Sequence, residues 1–179
     1  MSFHIPAAAF TLGNARQVAC PMDWVLTQVT RPISDRERSL YRHEGRWMGS
    51  IPIPDFQRPL VWDRERQIKF VESAWLGYSL GTFVINDLQM VSHGDKFHPL
   101  EGLLVDGQQR LDALRGYFMD EFPVFGALWS EVPTGDARRF RNKPSFPYLS
   151  VQITDEAQLR EAYNRLAFGG IAHTEAQRA

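Results

Sequence analysis

The sequence predicts a single small α/β domain, and three observations support that fold class. The chain has 179 residues, of which 44% are hydrophobic, so it is long enough to bury one continuous core. Short β-branched and aliphatic runs alternate with longer segments whose apolar residues recur at helical spacing. The chain shows no internal repeat. We therefore expect several helices packed on one sheet.

The first half of the chain has signals for two helices. Residues 22–28 are predicted to form a short helix, and residues 31–46 a charged surface connector. Asp63 is placed to cap a longer helix, which Gly77 ends. One face of that helix is expected to pack on the sheet, and its apolar residues are Ile68, Val71, Trp75 and Leu76.

The second half has signals for strands and a last helix. Residues 82–88, 102–105 and 147–153 are predicted strands, and residues 122–125 are expected to form another. Thr154 is expected to cap the last helix, which Gly169 and Gly170 stop. Its predicted buried residues are Leu159, Ala162, Tyr163 and Leu166.

The most distinctive segment is Asp106, Gly107, Gln108, Gln109 and Arg110, where an apolar strand runs directly into a helix. The first turn of a helix has free backbone N–H groups and a partial positive charge, to which Arg110 adds a full one. Such a junction is suited to a phosphate group. The alternative is that Asp106 balances Arg110 internally, without any ligand.

Residues 51–63 form a second candidate site segment, which is extended and stiffened by prolines. Gln57 and Arg58 are its central polar residues, and they lie between the apolar anchors Phe56 and Trp62. This arrangement would present Arg58 to a ligand. It is equally compatible with a stiff loop whose arginine is only solvated.

A third segment is suited to nucleic acid. Its cations are Arg138, Arg139, Arg141 and Lys143, with Phe140 among them. Flanking prolines and a glycine predict a loop, in which the ring could stack on a base. The net charge of the whole chain is −1, so any DNA contact must be local. A solvated surface loop is the alternative.

The remaining composition excludes several protein classes. The one cysteine, Cys20, cannot form an intramolecular disulfide, and the five histidines lack the spacing of zinc ligands. No apolar run has the length of a membrane span or of a signal-peptide core. We expect a cytoplasmic protein with no membrane partner. The chain also lacks the glycine-rich loop that ends in Lys-Ser or Lys-Thr, which excludes a P-loop enzyme.

Three motifs in one order carry a family resemblance: Phe56-Gln57-Arg58 with Trp62, then Asp106-Gly107-Gln108-Gln109-Arg110, then Tyr163-Asn164-Arg165 with Gly169-Gly170. The chain resembles the N-terminal domain of GmrSD-type modification-dependent restriction enzymes, in the ParB/sulfiredoxin superfamily. The resemblance covers residues 46–175, and it implies a mixed sheet with packed helices that binds a nucleoside triphosphate. We therefore assign residues 46–179 to a nucleotide-binding domain. Residues 1–45 are expected to form a helix and its connector, which we count as part of the same domain.

The candidate residues fit phosphoryl transfer, which needs cations, a metal held by a carboxylate and a residue that orients the nucleophile. Arg58 and Arg110 can grip phosphate oxygens, and Asp106 can hold Mg²⁺ or act as a general base. Gln57 and Gln109 can orient by hydrogen bonding. The backbone N–H groups of residues 107–109 complete the expected nucleotide site. The resemblance adds Asn164 and Arg165 to it, although Arg165 can equally serve as a helix cap.

Three functions are compatible with these residues. The first is an ATP- and Mg²⁺-dependent kinase that phosphorylates a hydroxymethylated pyrimidine in DNA. Phage DNA hypermodification requires such a kinase. If the protein is encoded by a phage, we expect it to act in the host cytoplasm. The chain ends after the Gly-Gly turn without a histidine-rich nuclease domain, so we expect no DNA cleavage by it. The second function is a triphosphate-hydrolysing sensor subunit that works with a separate nuclease. The third is a non-catalytic, partition-like DNA-binding module.

Overall fold

A computed structural model describes residues 15–88, 92–93, 96–142 and 144–168. Within these ranges the chain forms six α-helices, one mixed four-stranded sheet and two small two-stranded sheets. The predicted α/β fold class is therefore confirmed.

The elements follow one another in a regular order. Those of the first half are β1 (Arg16–Val18), α1 (Met22–Thr30), α2 (Asp35–Leu40), β2 (Arg46–Met48), β3 (Ile51–Ile53), α3 (Arg64–Leu76) and β4 (Phe83–Asn86). Those of the second half are β5 (Ser92–His93), β6 (Lys96–Phe97), β7 (Leu103–Asp106), α4 (Gln108–Phe118), α5 (Thr134–Asn142), β8 (Tyr148–Val151) and α6 (Glu156–Phe168). A short 3₁₀ turn, Trp129–Glu131, precedes α5.

The main sheet has the strand order β1-β8-β4-β7. The inner pair, β4 and β8, is parallel, whereas β1 and β7 are antiparallel to their neighbours. Because β7 lies at one end of this order, the helix that follows it begins at the edge of the sheet. β3 and α6 both contact β7, which brings the segment after β3 beside the β7–α4 junction.

Both faces of the sheet are covered, and the alternation of side chains along β4 shows how. Phe83 and Ile85 point into the larger core, which α1, α3, α4 and α5 cover. Val84 points into the smaller core on the other face, where it packs with Leu159 and Tyr163 of α6. Successive residues of a strand face opposite sides of its sheet, so a continuous apolar run is required here.

Several local predictions are confirmed. The Asp63 carboxylate accepts a hydrogen bond from the Arg66 N–H at 2.8 Å, which caps α3, and Gly77 ends that helix with a φ of 81°. The first predicted helix is present as α1, and the predicted strands at residues 82–88, 102–105 and 147–153 are β4, β7 and β8. Leu76 does not pack on the sheet as predicted, because it is 65% exposed at the end of α3.

Three other local predictions are wrong. The basic segment that begins at Arg138 lies in helix α5 and not in a loop, because its prolines flank the helix without interrupting it. Residues 122–125 form no strand and contribute only an isolated bridge between Val124 and Ala127. The side chain that caps α6 is that of Asp155, which accepts from the Gln158 N–H, and not that of Thr154.

The N-terminal part of the described chain is joined to the same sheet. β1 pairs with β8, and α1 packs against α4 and α5. None of the helices in the described ranges has the length and apolar character needed to span a bilayer. The predicted stop at Gly169 and Gly170 lies outside the described residues.

Candidate functional site

The candidate site is built on the junction between β7 and α4. Gly107 has a φ of 103°, and a Cβ atom there would lie 2.5 Å from the Cβ of Phe83. A side chain is thus excluded by both backbone conformation and space. No side chain caps the first turn of α4 among the described residues, so the backbone N–H groups of its first residues face the site without a side-chain acceptor.

The two glutamines of α4 hold the proline-rich segment over this junction. The Gln109 side-chain oxygen accepts hydrogen bonds from the backbone N–H groups of Val61 and Trp62 at 2.9 and 3.0 Å, and its Nε2 donates to the Pro59 carbonyl at 3.1 Å. Gln108 Nε2 donates to the Arg58 carbonyl. Both side chains are buried. Their amides therefore bind the protein, which differs from the orienting role expected of Gln109.

Gln57, which belongs to the proline-rich segment itself, binds the end of β7. Its side chain is buried, and Nε2 donates to the carbonyls of Leu104 and Val105 at 2.7 and 3.2 Å. Both donors of this amide are thereby used, and only its oxygen is left for a ligand. The main contribution of Gln57 is to fix Arg58, its neighbour in the chain, against the end of β7.

Arg58 is exposed at the mouth of the junction. Its backbone N–H donates to the Tyr163 hydroxyl at 3.1 Å, which attaches the segment to α6. Among the described residues, no carboxylate lies within ion-pairing distance of the Arg58 guanidinium. Hydrogen bonds of Gln57, Gln108 and Tyr163 therefore hold the backbone of a cation that has no carboxylate partner in the described part of the chain.

Arg110 differs from Arg58, because it has protein partners. Its guanidinium lies 2.8 Å from the Asp106 carboxylate, donates to the Leu80 carbonyl at 3.1 Å and lies 5.5 Å from the centre of the Phe146 ring. The internal pair that the sequence left open is thus present. The side chains of Arg110 and Asp106 are 21% and 34% exposed, so solvent and ligands still reach both.

These residues surround a small pocket, which we call the junction pocket. Its volume is about 90 Å³, and its lining comprises Gln57, Arg58, Trp62, residues 106–110, Tyr163 and Ala167. The first two predicted motifs therefore meet in space. α6 contributes Tyr163 and Ala167, not the predicted Asn164 and Arg165. Those two are exposed on α6, and Arg165 pairs with Glu161 at 2.7 Å.

The comparison with protein families decides the affiliation of the chain. The family model described as the GmrSD restriction endonuclease N-terminal domain matches residues 39–173. The chain belongs to this family. The resemblance inferred from the motifs is confirmed, and the matched range begins within the connector, ahead of residue 46. No curated protein and no solved structure matches the chain.

Membership of the GmrSD N-terminal family helps to choose among the three functions compatible with the sequence. The family description refers to restriction and does not refer to a kinase. It thus favours a component of a restriction system over the kinase of a modified base. The kinase has no support from the match.

The basic segment of this GmrSD-family domain is placed differently from its prediction. Phe140 is only 2% exposed, with its ring centre 4.4 Å from that of Trp75, so it cannot stack on a base. Arg141 pairs with Asp23, whereas Arg138 and Arg139 are exposed. Lys143, the remaining predicted DNA contact, lies outside the described residues.

Cys20 is part of the core and not of a reactive site. The side chain is 2% exposed, and burial raises the pKa of its thiol to about 12. A thiol with such a pKa is not a nucleophile near neutral pH. The structure therefore offers no sulfiredoxin-type thiol in the part of the chain that it describes.

One carboxylate in the junction pocket could help to hold a magnesium ion that arrives with phosphates. Asp106 is the carboxylate in the lining, and no cluster of three or more metal-ligating side chains occurs among the described residues. Mg²⁺ in proteins often uses one or two carboxylates and takes its other ligands from phosphates and water. Asp106 would hold it, and the ion would neutralise charge on the phosphates.

Proposed function

We propose that this protein is the triphosphate-hydrolysing sensor component of a modification-dependent restriction system. The observation that carries the proposal is the junction pocket of this GmrSD N-terminal domain: among the described residues, its Arg58 has no carboxylate partner and the start of α4 has no side-chain cap. In this function the protein binds a nucleoside triphosphate, responds to modified DNA and acts with a separate nuclease.

The first step is phosphate binding by Arg58 and the start of α4. The guanidinium of Arg58 can donate two parallel hydrogen bonds to phosphate oxygens, and the backbone N–H groups of Gln108 and Gln109 add donors aligned with the helix dipole. Because Arg58 is exposed and has no carboxylate partner among the described residues, it needs to give up no ion pair to bind.

The size of the junction pocket limits what it holds. Its volume of about 90 Å³ equals the space of about three water molecules at roughly 30 Å³ each. A phosphate group fits this space, but a whole nucleoside triphosphate does not, since pockets for such ligands measure roughly 300–1,000 Å³. The terminal phosphates enter the pocket, and the base and sugar lie outside it.

The second step is an exchange of partners at Arg110. A phosphate that reaches the helix start can replace Asp106 as the anion beside Arg110, since both are accessible from the pocket. The released carboxylate of Asp106 is then free to hold Mg²⁺ or to accept a proton from the attacking water. Binding thus assembles the groups that hydrolysis needs.

Phosphate release and phosphate transfer are measured together to test the proposed function. The full chain is incubated with γ-labelled ATP or GTP, Mg²⁺, and DNA with or without hydroxymethylated cytosine. We expect free phosphate, released faster with modified DNA, and no label on the DNA. Label on the DNA would instead support the kinase, and binding without turnover the partition-like module.

Matched arginine variants show whether the turnover belongs to this site. Arg58→Ala is expected to abolish phosphate release, whereas Arg36→Ala removes an equally exposed cation from α2 and is expected to have no effect. Equal activity of the wild type and the Arg58→Ala variant would contradict the assignment of the junction pocket.

A further inference from the structure

A large cavity lies away from the junction pocket, between the C-terminal end of α3 and α5. Its volume is about 550 Å³, and we call it the α3–α5 cavity. Trp75 and Phe140 form part of its wall, with ring centres 4.4 Å apart. Leu76 and Tyr78 also line it, and they are 65% and 68% exposed.

A cationic surface adjoins this cavity. Arg138 and Arg139 on α5 line a shallow hollow of about 430 Å³, and Arg139 also lines the α3–α5 cavity. No carboxylate lies within ion-pairing distance of Arg138 among the described residues. Arg139 lies 3.5 Å from Asp136, but their side chains are 81% and 52% exposed, so this pair holds the arginine weakly.

The combination identifies the kind of ligand. Two accessible guanidinium groups beside a cavity whose lining includes Trp75 and Tyr78 suit a ligand that has both phosphates and planar rings, which is the composition of a nucleic-acid strand. The volume of 550 Å³ is within the roughly 300–1,000 Å³ of small-molecule sites, so a single base fits in it. Asp136, at the same cavity, can accept a hydrogen bond from the exocyclic amino group of cytosine or adenine.

We propose that the α3–α5 cavity binds one unstacked base of a DNA strand whose phosphates lie on Arg138 and Arg139. The choice of DNA rests on the proposed function, whereas the position of the site rests on the cavity and its cations. A base taken out of the stack can be inspected on all its edges. The cavity is thus where a modification on a base is recognised.

The phosphate contacts are tested by fluorescence anisotropy with a short labelled DNA duplex, in the absence of nucleotide and at several salt concentrations. Replacing both Arg138 and Arg139 with Ala is expected to weaken binding about ten-fold or more and to reduce the salt slope by about two, because each phosphate contact releases about 0.9 counterion. Arg36→Ala is the matched control and should bind like the wild type. Unchanged affinity and slope in the double variant would overturn the site.

The base contact is tested by photo-crosslinking to a strand that carries 5-iodocytosine. We expect the crosslink at Trp75 or Tyr78. In the variant Ser79→Leu, which fills the cavity from its lining, the crosslink should disappear while the salt slope of binding stays the same. Circular dichroism confirms that each variant is folded. Crosslinks at other residues, or a crosslink that persists in Ser79→Leu, would refute base binding here.

Neither readout needs a nucleoside triphosphate, so the two proposals fail separately. If DNA binds as described but no triphosphate is bound, the proposed function is wrong and the DNA site stands. If modified DNA stimulates hydrolysis but the α5 and Ser79 variants behave like the wild type, the proposed function stands and the DNA site is wrong.

Discussion

Arg58 and Arg110 are two arginines of one pocket with opposite surroundings. Arg58 is exposed and has no carboxylate partner among the described residues, whereas Arg110 contacts Asp106, Leu80 and Phe146. The sequence indicates that both are candidates for phosphate binding. It does not show this difference, because Leu80 and Phe146 are 30 and 36 positions away from Arg110 along the chain.

The different surroundings of Arg58 and Arg110 predict different losses of stability when each arginine is replaced by alanine. Arg58→Ala should change the free energy of unfolding by less than about 0.5 kcal/mol, since it removes no packed contact. Arg110→Ala should cost about 1–2 kcal/mol, because it removes a partly exposed ion pair and a hydrogen bond to a carbonyl. Both should weaken ATP binding about ten-fold or more. Urea unfolding and calorimetric titration measure the two effects, and equal destabilisation by both variants would contradict this interpretation.

Cys20 makes a prediction about pH. Burial raises its pKa from 9.0 to about 12, so the neutral thiol is favoured in the folded state. The corresponding stability is fully present below pH 9.0 and is lost as the pH rises toward 12. We expect the wild type to lose stability over this interval and Cys20→Ala to lose less of it. Urea unfolding at several pH values provides the test, and parallel curves for the two proteins would exclude the effect.

At the scale of elements, the junction pocket depends on glutamines that hold a segment and do not touch the ligand. Gln109 alone uses its oxygen and its nitrogen to bind three backbone groups of residues 59–62. The sequence places these polar side chains at a helix start, where exposure to a ligand is the ordinary expectation. Only the tertiary structure shows that both glutamines are buried.

Loss of the Gln109 hydrogen bonds should release residues 59–62. Gln109→Ala is expected to cost about 2 kcal/mol, because the N–H groups of Val61 and Trp62 lose their acceptor. Hydrogen exchange at those two amides should become faster. Gln109→Glu keeps the acceptor and should retain most of the protection, although it loses the donor to Pro59. If hydrogen exchange at Val61 and Trp62 is unchanged in Gln109→Ala, the Gln109 side chain does not hold this segment.

The elements also show where local sequence signals are sufficient. Asp63 and Gly77 bound α3 as predicted, because a helix cap depends on a few neighbouring residues. Local signals are insufficient at α5, because the prolines that flank it and the glycine at its second position favour a loop, whereas the packing of Phe140 against Trp75 and Trp129 stabilises a helix. Tyr163 instead of Asn164 reaches the junction pocket, since it shares a face of α6 with Leu159.

At the scale of the whole molecule, Arg110 lines the junction pocket and contacts residues next to the lining of the α3–α5 cavity. Its partners Leu80 and Phe146 directly follow Ser79 and Ser145, which line that cavity. A phosphate that draws Arg110 away from Asp106 is expected to alter its contacts with Leu80 and Phe146, next to the lining of the proposed DNA site. The sequence alone could not indicate this connection, because the two sites share no motif.

This connection predicts reciprocal coupling between the two ligands. A nonhydrolysable ATP analogue should change the affinity for DNA by about five-fold or more, and DNA should change the affinity for the analogue by the same factor. Anisotropy titrations with each ligand fixed and the other varied give both factors. Affinities that are independent of the other ligand would show that the sites act separately.

The most direct measurement on the junction pocket is an NMR titration of the full chain with a nonhydrolysable triphosphate and Mg²⁺. Binding at the start of α4 predicts saturable shifts of the backbone amides of Gly107, Gln108 and Gln109, and loss of these shifts in Arg58→Ala. If those amides do not move while ligand is in excess, the triphosphate does not bind at the β7–α4 junction, and the proposed function is wrong.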